Sequence, residues 1–309
     1  MEAVNRFGRL ITAMVTPFRE DLSVDMDKAS ALAGYLVDRG SQGLVVAGTT
    51  GESSALTVEE KLALFRIVKE SVGDRAAVMA NTGSNNTAES VELTRRVADL
   101  GLDGIMAVVP YYNKPSQEGM YHHFRALAIS TDLPIMLYNV PGRTGSNLAV
   151  ETVVRLADLP NVVAIKEASA NLDQATEIVR RLPNLALYSG DDALTLPLMS
   201  IGAVGVVSVA SHIAGPAIRE LIESYLRGHR TRALELHLGL IDLFRSLFVT
   251  SNPVPVKEAL YQIGFPVGGV RPPLFSLTPA ESAEVARGIA QAQPHLWEVV
   301  TRSEDIARC

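Results

Sequence analysis

VVAIKEASAN, residues 162–171, carries four apolar residues in a row and then a lysine beside a glutamate. Near-continuous hydrophobicity over so short a run marks a strand covered on both faces, as in a parallel sheet, rather than a half-solvated strand that alternates. The pattern recurs in LITAMVTPF from Leu10, GLVVAGTT from Gly43, AAVMANTG from Ala76 and GIMAVVPYY from Gly104. It returns in LPIMLYNV from Leu133, LALYSG from Leu185 and GAVGVVSV from Gly202. Most successive runs start about 23 to 33 residues apart, the length of one strand, helix and loop. Eight such units in succession predict a (β/α)8 TIM barrel, an α/β fold.

Amphipathic segments lie between the runs. In TVEEKLALFRIVKESV, Thr57 and Glu60 have capping-box spacing, and NTAESVELTRRVADLG is expected to end on Gly101 in a left-handed cap. The units are used up near residue 228, after which RTRALELHLGLIDLFRSLF, VPVKEALYQIG and TPAESAEVARGIAQAQ read as helices, interrupted by PVGGVRPPLF from Pro266. The expected organisation is a barrel with the active site over residues 1–228 and a C-terminal helical region packed on it over residues 229–309. A doubly wound open sheet would need a glycine fingerprint at its first turn, and TPFREDLS has none.

Composition narrows the function. The 309 residues are 47% hydrophobic, enough for a large core, and carry a net charge of −6. That balance, without a basic tail, argues against nucleic acid as partner. The N-terminus lacks a cationic segment followed by an apolar stretch, and no run approaches the roughly 18 to 20 apolar residues of a membrane span. The single cysteine, Cys309, allows no internal disulfide and no cysteine-ligated metal. A soluble, cytoplasmic protein is expected.

Barrel active sites gather at the C-terminal ends of the strands. The residues there are Thr16, Pro17, Thr49, Thr50, Glu52, Asn81, Thr82, Tyr111, Tyr112, Tyr138, Asn139, Lys166, Glu167, Ser189, Gly190 and Ser208. They are rich in hydroxyls and contain no histidine. None of the six histidines pairs at the i, i+4 spacing of a helical metal site, so no metal is expected; His212, just past the eighth run, stays open. GTTGESS, from Gly48, lacks the lysine of a phosphate loop. It reads as a tight turn offering N–H groups and hydroxyls to a small carboxylate, or simply as a loop with a capping serine. Asp191 and Asp192 in SGDDALTLP read as a helix start, where negative charge is favoured.

Lys166 is the sharpest signal. Successive strand residues face opposite sides, so Lys166 and Glu167 cannot both point at the barrel axis. A lysine held among apolar neighbours loses its proton more readily. Lowering an amine pKa from about 10.4 to about 8 raises its neutral fraction at pH 7 from roughly 4 in 10,000 to roughly one in ten, worth about 3.3 kcal/mol toward attack on a ketone or aldehyde. The bland alternative is a strand-end lysine paired with a carboxylate. Tyr138 and Thr49 end other runs and would supply hydroxyls to relay protons through a carbinolamine. Arg143, five residues after Tyr138, would hold a carboxylate in the loop above, or else pair with a neighbouring loop.

GTTGES at 48–53, PYYNKPSQEG at 110–119, YNVPGRTG at 138–145, the VVAIKEAS segment and SGDDALTLP at 189–197 together resemble the dihydrodipicolinate synthase branch of the pyruvate-dependent class I aldolases, the N-acetylneuraminate lyase family. The resemblance runs from TAMVTPF to SNPVPVKEAL, nearly the whole chain. It implies a homotetramer of barrels, a dimer of dimers, condensing pyruvate with L-aspartate 4-semialdehyde, with no cofactor beyond an imine on Lys166. Tyr138 would donate and accept protons. Thr49 would link it to Tyr112, reaching in from a neighbouring subunit. Thr50 and the Val207 backbone would hold the pyruvate carboxylate, Gly190 would join the substrate-binding positions, and Arg143 would receive the semialdehyde carboxylate.

Ser53, Ser54, Asn85, Glu89 and Tyr111 match an allosteric lysine pocket of the family, but Val58 and Lys61 stand where inhibited members carry histidines or other polar residues. A positive charge at Lys61 predicts weak or absent inhibition by lysine. Two other readings remain at this stage. A sibling aldolase for sialic acid or a 2-keto-3-deoxy sugar acid would need hydrogen-bonding groups where Arg143 stands, and a catalytically dead barrel would have lost Lys166, Tyr138 or Thr49.

Overall fold

The apolar runs become eight strands: β1 (Leu10–Ala13), β2 (Gly43–Val46), β3 (Ala77–Asn81), β4 (Gly104–Val108), β5 (Ile135–Asn139), β6 (Val162–Glu167), β7 (Ala186–Ser189) and β8 (Gly205–Ser208). In the computed structural model, which describes residues 2–306 and side chains over residues 3–296, they pair in parallel, each with the next, and β8 closes onto β1. Cys309 lies outside the described residues.

Alternation along each strand builds two cores. Ile11, Val45, Met79, Met106, Met136, Ala164 and Val207 fill the barrel axis. Leu10, Leu44, Val78, Ile105, Ile135, Ile165 and Val206, one step along, join the larger core beneath the helices. Both faces of every strand are thus dry, which is why the runs show no polar alternation.

The bottom of the barrel is plugged by the helix Glu2–Phe7. Phe7 is fully buried there, and Tyr188 Oη donates to the Gly8 carbonyl at 2.7 Å. A Cβ on Gly104 would lie 2.8 Å from the Phe7 ring, so glycine at the start of β4 lets the plug seat.

Thr57 caps the helix Val58–Val72 as the spacing predicts: Glu60 N donates to Thr57 Oγ1 and Thr57 N to Glu60 Oε2. Two boundaries differ from expectation. The helix Thr87–Val97 stops before Gly101, which takes a φ of +66° in the turn that follows. The eighth strand starts at Gly205 rather than Gly202, because Gly202 is in a turn at φ +111°. The helices Arg230–Ser246, Val254–Gln262 and Pro279–Ile306 follow, and Leu236, Val256 and Val285 from them share the core beneath the barrel helices. No helix among the described residues is long and apolar enough to cross a membrane.

Candidate active site

Lys166 lies at the C-terminal end of β6 with Tyr138 of β5 as its Cα partner on one side and Tyr188 of β7 on the other. It has the inward parity of Ala164, and it is buried. Its Nζ sits 4.2 Å from the centroid of the Tyr138 ring. Burial drives the amine pKa down to about 7; Asp192 opposes that shift and Arg143 adds to it. Roughly half of the amines are therefore neutral at pH 7. Burial raises the Tyr138 phenol, while Arg143 and a hydrogen bond with Thr49 pull it back. The amine, the phenol and the Thr49 hydroxyl thus form one connected group.

Glu167 faces outward, as alternation requires, and has a role that sequence reasoning missed. Its Oε2 accepts from Asn139 Nδ2 at 3.0 Å and Gln174 Nε2 at 3.1 Å, and its Oε1 accepts from Ser169 N at 2.7 Å. These bonds tie the ends of β5 and β6 to the following helix and occupy the carboxylate away from Lys166.

The expectation that the acidic pair in SGDDALTLP starts a helix holds for one member only. Asp191 accepts from Ala193 N at 2.8 Å and caps the turn Asp192–Leu194. Asp192 is buried and accepts from Ser208 Oγ at 2.5 Å and from Val209 N and Ala210 N at 3.0 Å each. Burial raises its pKa and those bonds hold it down. It is the carboxylate whose field reaches Lys166. Two adjacent aspartates look alike in sequence; only the fold separates the cap from the counter-charge. Gly190, just before them, clears space for the lysine. A Cβ there would lie 2.6 Å from Ala168 Cβ and 3.1 Å from Lys166 Cε.

Above this group a cavity of about 260 Å³ is lined by Thr49, Asn81, Val140, Arg143 and Thr144, together with Ser53, Ser54 and Tyr111. Three of the residues matched to an allosteric pocket therefore border the same space as Thr49 and Arg143. Asn85 and Glu89 sit behind Tyr111: burial and Glu89 raise the Tyr111 phenol, and the Asn85 backbone lowers it. Lys61 is also near Glu89, which opposes the downward pull of burial on its amine.

Thr50 is buried in the turn after β2, with Asn252 Nδ2 donating to its Oγ1 at 2.9 Å. Val207 is buried in the inner core at β8. Sequence reading attached no role to Asn252. His212 proves to be a packing residue: Val15 N donates to its Nε2 and its Nδ1 bonds the Val209 carbonyl. Burial lowers its pKa to about 4, so it stays neutral.

Tyr112 is the candidate not brought to the group. Its backbone is left-handed, at φ +73°, with its N–H on the Thr144 carbonyl at 3.2 Å, and its side chain is 87% exposed.

Comparison with known proteins identifies the family. The sequence pattern of the dihydrodipicolinate synthetase family matches residues 6–292. A 4-hydroxy-tetrahydrodipicolinate synthase from Moorella thermoacetica is 55% identical over 287 residues, 93% of this chain and 98% of that protein. A dihydrodipicolinate synthase structure from Bacillus anthracis superposes with a TM-score of 0.90 at 49% identity, covering 92% of this chain and 98% of that one. The structure from Cyanidioschyzon merolae, with lysine bound, gives 0.92 at 50% identity, covering 93% and 99%. The chain belongs to the dihydrodipicolinate synthetase family.

Proposed function

We propose that this protein condenses pyruvate with L-aspartate 4-semialdehyde to give 4-hydroxy-tetrahydrodipicolinate, on the way to diaminopimelate and lysine, with Lys166 as the imine-forming amine. The observation that carries this is a buried lysine whose Nζ lies 4.2 Å from the centroid of the Tyr138 ring, its amine pKa brought down to about 7 by burial. A neutral Nζ attacks C2 of pyruvate, and the carbinolamine loses water to leave the protonated imine. Loss of a C3 proton gives an enamine, whose C3 bonds to the aldehyde carbon of the second substrate. The amino group of that substrate then attacks C2, closes the ring and expels Lys166. Tyr138 moves protons on and off these intermediates, with Thr49 as its relay partner. The imine cation accepts the electron pair, so the reaction as drawn needs no metal or organic cofactor.

Thr50 and the Val207 backbone hold the pyruvate carboxylate, with Gly190 at the substrate, and Arg143 on the cavity wall receives the semialdehyde carboxylate. That guanidinium favours this substrate over sialic or 2-keto-3-deoxy sugar acids, whose hydroxyls call for hydrogen-bonding groups instead. Presence of Lys166, Tyr138 and Thr49 together speaks against a dead barrel. The protruding Tyr112 completes the relay in the site of a second copy, within a homotetramer built as a dimer of dimers. We place the enzyme in the cytoplasm, in keeping with the biosynthetic relatives it matches.

Borohydride reduction with pyruvate, followed by peptide mass mapping, tests the reading. The reduced adduct is expected on Lys166; an adduct on another lysine, or on none, sinks the mechanism. Turnover of aspartate semialdehyde against sialic acid and 2-keto-3-deoxygluconate then decides the substrate.

A further inference from the structure

We infer that Asn252, 202 residues after Thr50 in sequence, is a positioning residue for pyruvate that acts by orienting the Thr50 hydroxyl. The inference rests on reading Thr50 as the residue that holds the pyruvate carboxylate.

A threonine hydroxyl has one proton to give and lone pairs to receive. Asn252 Nδ2 occupies a Thr50 lone pair at 2.9 Å, and both side chains are buried. Among the described residues Thr50 Oγ1 makes no other hydrogen bond to the chain. Its proton must therefore point away from the asparagine, where it is available to an anion. An acceptor in place of the amide would take that proton for itself and turn a lone pair toward the substrate.

Asn252 is poorly explained as a purely structural residue. Its Oδ1 is buried with no hydrogen-bond partner in the chain among the described residues, an unpaired group that an apolar side chain of similar shape would not leave. The turn does not depend on it alone. Thr16 Oγ1 donates to the Gly51 carbonyl at 2.7 Å, and Glu52, in a left-handed conformation at φ +55°, is paired with Lys257 Nζ at 2.6 Å. With the turn held twice elsewhere, the amide is left to set which way one hydroxyl donates.

The test uses the full-length enzyme and separate KM values for the two substrates. Asn252→Asp, which replaces a donor with an acceptor, is expected to raise the KM for pyruvate about tenfold or more, as loss of a hydrogen bond to a charged group does. The KM for the semialdehyde should stay within about twofold. Asn252→Leu, which removes the donor without adding an acceptor, should give a smaller rise and keeps the test open if the aspartate variant does not fold. Thr50→Val should raise the pyruvate KM by itself, and adding Asn252→Asp to it should then change nothing further. If Thr50→Val leaves pyruvate binding intact, the role of Thr50 falls and this inference with it. If Thr50→Val is impaired but Asn252→Asp binds pyruvate normally, or its effect adds to that of Thr50→Val, the positioning role alone is wrong.

Discussion

Tyr138 and Lys166 are Cα partners across β5 and β6, and the Lys166 amine lies against the Tyr138 ring, 4.2 Å from its centroid. Backbone register, rather than a flexible loop, keeps the phenol and the amine together. Such a pair is in place before substrate arrives, which spares the reaction the entropy of assembling it.

The pKa of about 7 sets the pH dependence. An amine is nucleophilic in its neutral form, above its pKa. Imine formation, followed by borohydride trapping at fixed times, is expected to rise about tenfold per unit below pH 7 and to level off above it. A half-point near pH 10 would contradict the burial argument. Asp192→Asn removes the charge that opposes the shift, so its half-point should move to lower pH.

Gly190→Ala tests the clearance around the lysine. The added Cβ would press on Ala168 and on Lys166 Cε, with no positive φ to confuse the interpretation. Displacing a nucleophile by about 1 Å is worth on the order of a hundredfold in rate. A large loss of kcat, out of proportion to a modest fall in thermal stability, is expected; full activity would show that the loop yields instead.

Arg143→Ala should spare the first half-reaction. Trapping of pyruvate on Lys166 is expected to persist, while the KM for the semialdehyde rises about tenfold or more with loss of the two-point contact. The trapping half-point should also move to higher pH, because Arg143 helps to lower the Lys166 pKa. Unchanged turnover of the semialdehyde would remove the basis for choosing it as substrate.

Feedback by lysine is expected to be weak or absent. Lys61 sets a cation beside Glu89, one of the positions matched to the family's lysine pocket, where it opposes a second cation. Inhibition is read by titrating L-lysine at fixed substrate; half-maximal inhibition below about 1 mM, roughly 4 kcal/mol of binding, would overturn this.

The barrel was legible because dry strands on both faces write themselves as unbroken apolar runs, and eight such runs, most of them one strand, helix and loop apart, leave few architectures open. Strand boundaries were less so: where Gly202 turns instead of extending depends on the backbone around it, and residue type alone allows either. That Lys166 and Glu167 face opposite sides followed from a period of two; which of them faces the axis is given by the parity of Lys166 with Ala164 of the inner core.

The sequence by itself determined the fold class, the lysine and its opposition to Glu167, since these rest on periodicity and on a charged pair at the end of an apolar run. Only the tertiary structure decided how the polar groups divide the work. Asp191 became a cap and Asp192 the counter-charge of Lys166, Glu167 was absorbed by Asn139, Ser169 and Gln174, and Asn252 met Thr50 from the far end of the chain. Such pairings depend on distances of about 3 Å between groups set by packing, and no local spacing along the chain encodes them.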